Sequence, residues 1–209
     1  MSKYITIEGP IGVGKTTLAR KIANSMKYDT LLETYSDNPF LKNFYKEQNR
    51  YAFVTQLQFL INRSKVFTND RKDYFENNNI ISDFLMKKDK LFAEIILNND
   101  ELNLYNTISD SLDIFEPKSD LVIYLQADID VLLERIKKRG EVYEYQITRD
   151  YLSLIVNAYA KYFHSYNESP LLVINTTHVD VNKPDDYSLL LEIIKKDLKG
   201  KNYFNPSGV

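Results

Sequence analysis

Residues 9–17, Gly9-Pro10-Ile11-Gly12-Val13-Gly14-Lys15-Thr16-Thr17, fit the pattern G-x-x-x-x-G-K-[ST] and constrain the fold more than any other segment of the chain. The run Tyr4-Ile5-Thr6-Ile7 precedes them, and an amphipathic helical pattern follows through Met26. That order is strand, tight turn, helix. The glycines let the backbone curl its N–H groups around an anion, and the helix N-terminus adds partial positive charge at the same point. In such a loop the lysine reaches the β and γ phosphates of a nucleotide, here Lys15, and the hydroxyl of Thr16 holds Mg²⁺. Gly9, Pro10, Ile11, Gly12, Val13, Gly14, Lys15, Thr16 and Thr17 are therefore the candidate ATP-binding residues. The loop implies a nucleotide and leaves the reaction open.

A strand that feeds such a loop needs a parallel sheet around it. Apolar β-type runs recur at Lys3 to Ile7, Leu31 to Glu33, Ile80 to Ser82, Leu121 to Leu125 and Leu171 to Ile174, with helical patterns between them. Their continuous apolar character suggests strands buried on both faces and joined by right-handed crossovers. The expected architecture is α/β, a five-stranded parallel sheet flanked by helices. Phe53, Leu57, Leu60, Ile61, Ser64 and Phe67 predict one helix from about Tyr51 to about Phe75. Asp128 reads as an N-cap, Asp130 lies in the first turn that follows, Lys137, Lys138 and Arg139 fill the last, and Gly140 ends the helix. Further helices are expected from Thr148 to about Phe163 and from about Asp185 to Leu198. No repeat or flexible linker appears, which predicts a single domain over 1–199 and a C-terminal tail over 200–209.

Composition narrows the function. With 27 Lys+Arg against 29 Asp+Glu, the net charge of −2 argues against a nucleic-acid binder held by phosphate neutralisation. The absence of Cys excludes disulfides, thiolate nucleophiles and cysteine metal sites. The longest apolar runs are of strand length, so no membrane span is expected, and the first residues carry no secretory pattern, which predicts a cytoplasmic protein. Only seven of the 27 cationic residues are Arg, namely Arg20, Arg50, Arg63, Arg71, Arg135, Arg139 and Arg149. Arg suits fork-shaped contacts to carboxylate and phosphate, so each one in a Lys-rich chain invites a question.

Two carboxylates stand out. Glu33 and Asp83 end the expected second and third strands, and the carboxyl ends of parallel strands open onto one edge where ligands bind. A hydroxyl that attacks a phosphoryl group needs a proton acceptor, and Mg²⁺ needs oxygen ligands. Asn182-Lys183-Pro184-Asp185 spells the guanine-reading tetrad of GTPases, but Phe84-Leu85-Met86 follow Asp83 without the Gly of a γ-phosphate sensor. The tetrad is therefore read as a loop and helix start.

From Tyr4 to about Leu198 the chain resembles the deoxynucleoside kinase family, most of all its bacterial deoxyguanosine and deoxyadenosine kinase branch. The resemblance rests on Ile7-Glu8-Gly9 through Lys15; on Glu33 with Asp37-Asn38-Pro39-Phe40-Leu41 and Phe44-Tyr45; on Gln56 with Arg63; on Asp83 with Phe92-Ala93; and on Arg135 through Gly140 with Glu144. It implies a P-loop kinase fold with a helical lid over about 135–147, acting as a homodimer. By resemblance Glu33 lies beside the substrate 5′-hydroxyl and Asp83 takes the family's acidic position; either is the candidate base, and Thr16 and Asp83 are the candidate metal ligands. Tyr45 and Glu144 pinch the sugar 3′-hydroxyl, Gln56 meets the base edge, Phe92 stacks on the base, and Arg63 sits near base or phosphate. Arg135 and Arg139, four apart on one helical face, close with the lid onto the transferring phosphoryl. Two positions depart from the family pattern: Glu141 stands where many relatives have Arg, and Phe84-Leu85 stand where many have Arg-Ser, with Lys87 or Lys88 as replacements.

The resemblance thus implies a Mg²⁺-dependent enzyme that moves the γ-phosphate of ATP to the 5′-hydroxyl of a deoxynucleoside, with a purine preferred, for nucleotide salvage. A thymidylate-type monophosphate kinase and a non-catalytic P-loop nucleotide sensor are the alternatives.

Overall fold

In the computed structural model, which describes residues 2–206, six strands form one parallel sheet in the order β2-β3-β1-β4-β5-β6. The strands are β1 (Tyr4–Glu8), β2 (Asp29–Leu31), β3 (Ile80–Ser82), β4 (Leu121–Gln126), β5 (Leu171–Asn175) and β6 (Lys201–Phe204). The helices are α1 (Lys15–Met26), α2 (Leu41–Lys46), α3 (Gln48–Ser64), α4 (Lys72–Asn77), α5 (Lys88–Ile96), α6 (Asn99–Ser111), α7 (Ile129–Arg139), α8 (Arg149–His164) and α9 (Pro184–Lys195). Among the described residues no helix is long and apolar enough to cross a membrane.

The inner strands carry the core. Ile5, Ile7, Ile80, Ile81, Val122, Ile123 and Ile174 are fully shielded from solvent, as continuous apolar strands covered on both faces must be. At β2 the expectation was displaced: the strand is Asp29–Leu31 at an exposed edge, and Glu33 lies two residues past its end. α7 keeps its expected bounds, with Asp128 in extended backbone before it and Gly140 at φ +81° closing it. α8 starts at Arg149 behind an N-cap at Thr148, whose hydroxyl accepts from the Tyr151 N–H at 3.2 Å. α9 stops at Lys195, short of Leu198.

Two expectations are corrected. The sheet has six strands, because Lys201–Phe204 pairs in parallel with β5. This edge strand alternates, with Phe204 buried and Tyr203 exposed, so it lacks the continuous apolar run of the inner strands. The final three residues of the expected tail, 207–209, lie outside the described residues. The helix expected from Tyr51 to Phe75 ends at Ser64. The chain leaves the helix there so that Phe67 can turn inward, 5.7 Å from the Phe75 ring and 5.6 Å from the Phe84 ring, and α4 starts afresh at Lys72. The helical spacing of Phe67 is thus incidental to its role as a core plug.

If β6 belongs to the cooperative unit, Phe204→Ala should cost about 3 kcal/mol of stability, as other buried Phe truncations do. Urea unfolding followed by tyrosine fluorescence measures this, and a loss below about 1 kcal/mol would place β6 outside that unit.

Candidate active site

The carboxyl ends of β1, β2, β3, β4 and β5 meet along one edge of the sheet, at a cleft of about 860 Å³. The phosphate-binding loop forms one wall. Two of its glycines are required by space as well as by conformation. A Cβ on Gly9 (φ +152°) would come within 2.4 Å of the Leu125 carbonyl oxygen, and one on Gly12 (φ +83°) within 2.9 Å of the Leu132 carbonyl oxygen. Lys15 is buried and donates to the carbonyls of Gly9 at 2.7 Å and Pro10 at 3.1 Å. Burial, with the charge of Lys88 nearby, lowers its pKa to about 8.

Beneath the loop the Thr16 hydroxyl donates to Asp83 Oδ2, and the Glu33 N–H donates to Asp83 Oδ1 at 2.8 Å. Asp83 is fully buried, and burial raises its pKa. A hydroxyl and a carboxylate side by side make an all-oxygen donor pair suited to Mg²⁺, which takes one or two protein ligands and completes its shell with water and substrate phosphates. Among the described residues no cluster of three acidic or His side chains competes for that role.

Across the cleft the side chain of Glu33 is held by two cations. Arg63 Nε donates to Oε1 at 2.8 Å, with Nη2 on the same oxygen, and Lys88 Nζ donates to Oε2 at 2.9 Å. Burial alone would raise the pKa of Glu33, but Arg63 and Lys88 overcome it and hold it at about 2. Arg63 also bonds Asp89 Oδ1 through Nη1, and Gln56 Nε2 donates to the Asp89 carbonyl oxygen at 2.8 Å. Burial pushes Asp89 up to about 6 despite the Arg63 charge. Gln56 and Arg63, two turns apart on α3, thus face the start of α5 and line the cleft together with Tyr35, Lys88 and Phe92.

The remaining expected residues divide into two groups. Tyr45 and Glu144 both line the cleft; Tyr45 stacks on Tyr143 at 6.1 Å. Glu144 is gripped by Arg139, whose Nε reaches Oε2 at 2.8 Å and whose Nη2 reaches Oε1 at 2.6 Å. Arg135 points elsewhere. Its guanidinium donates to the hydroxyl of Thr176 at 2.8 Å, to the Thr176 carbonyl at 2.9 Å and to the Val13 carbonyl at 3.4 Å, so it braces the loop against the end of β5. The two lid arginines therefore share a helix but not a partner. Asn182 lines the cleft, whereas Lys183 begins and Asp185 continues the turn into α9.

Asp89 is a buried site residue that the sequence concealed, and of the two lysines the sequence offered, Lys87 and Lys88, it is Lys88 that the fold buries. Lys87-Lys88-Asp89-Lys90 has the look of a solvated helix start, and only the packing of α5 on α3 and α8 buries its second and third members. Lys87 reaches the surface carboxylate of Glu168, so of the two lysines it is Lys88 that lines the cleft.

A phosphate-binding loop, an oxygen donor pair and a clamped carboxylate in one cleft define a nucleotide-dependent phosphotransferase. The chain belongs to the deoxynucleoside kinase family, whose model matches residues 5–198, and it is a kinase. It is 34% identical over 190 residues to the deoxyguanosine kinase of Bacillus subtilis (strain 168), covering 87% of this chain and 91% of that protein. It is 29% identical over 212 residues to the deoxyadenosine kinase of Lactobacillus acidophilus, covering 94% and 97%. Among solved structures, the deoxyadenosine kinase from M. mycoides with the products dCMP and dCDP bound superposes with a TM-score of 0.76 at 26% identity, covering 91% of this chain and 96% of that one.

The clamp on Glu33 makes stability depend on pH. Its folded pKa lies below the ordinary value of 4.5, so its stabilisation is complete above that value and disappears as pH falls toward 2. Glu33→Gln should therefore be less stable than wild type by roughly 3 kcal/mol at pH 7, with the gap narrowing below about pH 4.5. Urea unfolding at a series of pH values checks this; a gap that stays constant would contradict it.

Proposed function

We propose that the enzyme transfers the γ-phosphate of ATP to the 5′-hydroxyl of a purine deoxynucleoside. The observation that carries this reading is the position of Glu33, a buried carboxylate that opens onto the same cleft as the phosphate-binding loop. Donor and acceptor can thus meet without a large rearrangement. The purine preference is supported by the relatives, which are named deoxyguanosine and deoxyadenosine kinases.

In this reading Gly9 to Thr17 cradle the donor phosphates, and Lys15 exchanges its backbone carbonyls for phosphate oxygens. Thr16 and Asp83 would hold Mg²⁺, which when bound would supply neutralisation of charge on the donor phosphates. Asp83 is engaged on the loop side, which leaves Glu33 as the base. Its carboxylate is ionised at any physiological pH, and an arriving hydroxyl that displaces one cation raises its basicity. Gln56, Arg63 and Asp89 present donors and acceptors to the base edge, and Phe92 covers its face. Tyr45 and Glu144 crowd the sugar and disfavour a 2′-hydroxyl. Closure of the 135–147 segment frees Arg139 from Glu144 to meet the transferring phosphoryl, while Arg135 supports the donor side. We take residues 1–199 as one kinase domain, with β6 completing its sheet.

Our reading of the role is nucleotide salvage in the cytoplasm. A homodimer is our reading of the assembly, supported by the exposed apolar side chains Val54 and Ile61 on α3 and Leu104 on α6.

Coupled ADP-release assays with ATP and each of the four deoxynucleosides test the reaction. We expect turnover with deoxyguanosine or deoxyadenosine; turnover only with a nucleoside monophosphate, or with no acceptor at all, would overturn it. Lys15→Ala should abolish turnover, and Glu33→Gln should lower kcat by about 100-fold. Near-normal kcat in Glu33→Gln would transfer the base role to Asp83. Arg139→Ala should lower kcat more than it weakens nucleoside binding.

A further inference from the structure

Lys88 is a buried cation to which neither the phosphate-binding loop nor the base-edge group assigns work. It begins α5, lines the cleft and is only 7% exposed. Its ammonium lies 5.9 Å from the centroid of the Tyr35 ring and 5.7 Å from that of Phe92, so aromatic faces wall it in. Among the described residues its ammonium has one polar partner, Glu33 Oε2 at 2.9 Å, whereas an ammonium offers three donors. Arg63 differs, because its guanidinium already bridges Glu33 and Asp89. The charges of Lys15 and Lys88 also repel one another across the cleft, a tension that an anion between them relieves.

We propose that Lys88 is a catalytic residue, the acceptor-side cation of phosphoryl transfer: it keeps its bond to Glu33 and donates a second hydrogen bond to the phosphoryl group as that group reaches the 5′-oxygen. This rests on the reading of the reaction given above. In the step, the 5′-oxygen forms a bond to the γ-phosphorus, the bond from that phosphorus to the bridging oxygen of ATP breaks, and ADP carries away the electron pair. The hydroxyl proton passes to Glu33. In a loose transition state the phosphoryl group arrives while Glu33 is still ionised, and without a cation between them the two anions would oppose the transfer. Lys15 follows the group from the donor side and Lys88 receives it on the acceptor side. Glu33 fixes the position of the ammonium before substrate arrives, so little reorganisation is needed during the step. Since a neutral deoxynucleoside gives Lys88 nothing to bind beyond Glu33, its contribution is expressed only once phosphate is present.

The test compares wild type, Lys88→Met and Lys88→Arg in steady-state kinetics, and adds calorimetric titrations with deoxyguanosine or deoxyadenosine and with the matching 5′-monophosphate. We expect Lys88→Met to lose about 100-fold in kcat and about tenfold in affinity for the monophosphate, with nucleoside affinity within about threefold of wild type. Lys88→Arg should recover at least about tenfold of the lost kcat. If the Met variant does not fold, Lys88→Gln, which keeps a hydrogen bond to Glu33 without the charge, must show the same split. A kcat within about threefold of wild type, an equal loss of affinity for nucleoside and monophosphate, or no rescue by Arg overturns the proposal and leaves Lys88 as a counter-ion of Glu33. A wild type that phosphorylates no deoxynucleoside removes the reading of the reaction and this proposal with it. An active wild type with indifferent Lys88 variants removes this proposal alone.

Discussion

The ion cluster of Glu33, Arg63, Asp89 and Lys88 is the interaction on which the geometry of the cleft depends. Charges withdrawn from water are tolerated only when each finds a partner, and breaking such a pair costs several kcal/mol more than a surface pair does. The four groups come from three places: the loop after β2, the last turns of α3 and the first turn of α5. Satisfying them fixes all three relative to one another. Gln56 joins the same group through Asp89, so the floor of the cleft behaves as one bonded unit.

A second unit faces it. Glu8, at the end of β1, is buried and accepts from the Gly9 N–H at 2.9 Å, the Leu85 N–H at 3.0 Å and the Tyr159 hydroxyl at 2.9 Å. One carboxylate therefore ties the phosphate-binding loop to the segment after Asp83 and to α8. Since that segment leads into α5, the donor wall and the acceptor wall are set against each other through a few short connections. The parallel sheet makes this possible, because β1 and β3 are neighbours and deliver Gly9 and Asp83 to the same edge.

Much of this was legible in the sequence, and the illegible parts have definite causes. The loop, the inner strands and α7 each carry a local signal, whether a glycine pattern, a continuous apolar run or a cap at both ends. Glu33 and Asp83 were recognisable as candidates by position at strand ends, and Gln56 and Arg63 by the family resemblance. Asp89 was not, and Lys88 could not be told from Lys87, since these residues acquire their environment from contacts between α5 and distant helices. β6 was hidden for the opposite reason: an edge strand needs only one buried face, and a four-residue alternation among lysine and asparagine is too short to stand out. Arg135 lines the cleft as its helical face implies, but its partners could not be read from that face. Its spacing from Arg139 is correct for a shared helix surface, but Thr176 at the end of β5 lies within reach of one guanidinium and not the other.

The central claim is that a deoxynucleoside binds with its 5′-oxygen on Glu33 and directed at the phosphate held by the loop. A crystal structure of the enzyme with deoxyguanosine, Mg²⁺ and a non-hydrolysable ATP analogue measures this directly. The account predicts the 5′-oxygen within about 2.6–3.2 Å of a Glu33 carboxylate oxygen, and the γ-phosphorus in line between it and the bridging oxygen of the analogue. A nucleoside bound in the reverse sense, with its base toward the phosphate-binding loop and its 5′-oxygen out of hydrogen-bond reach of Glu33, would contradict it.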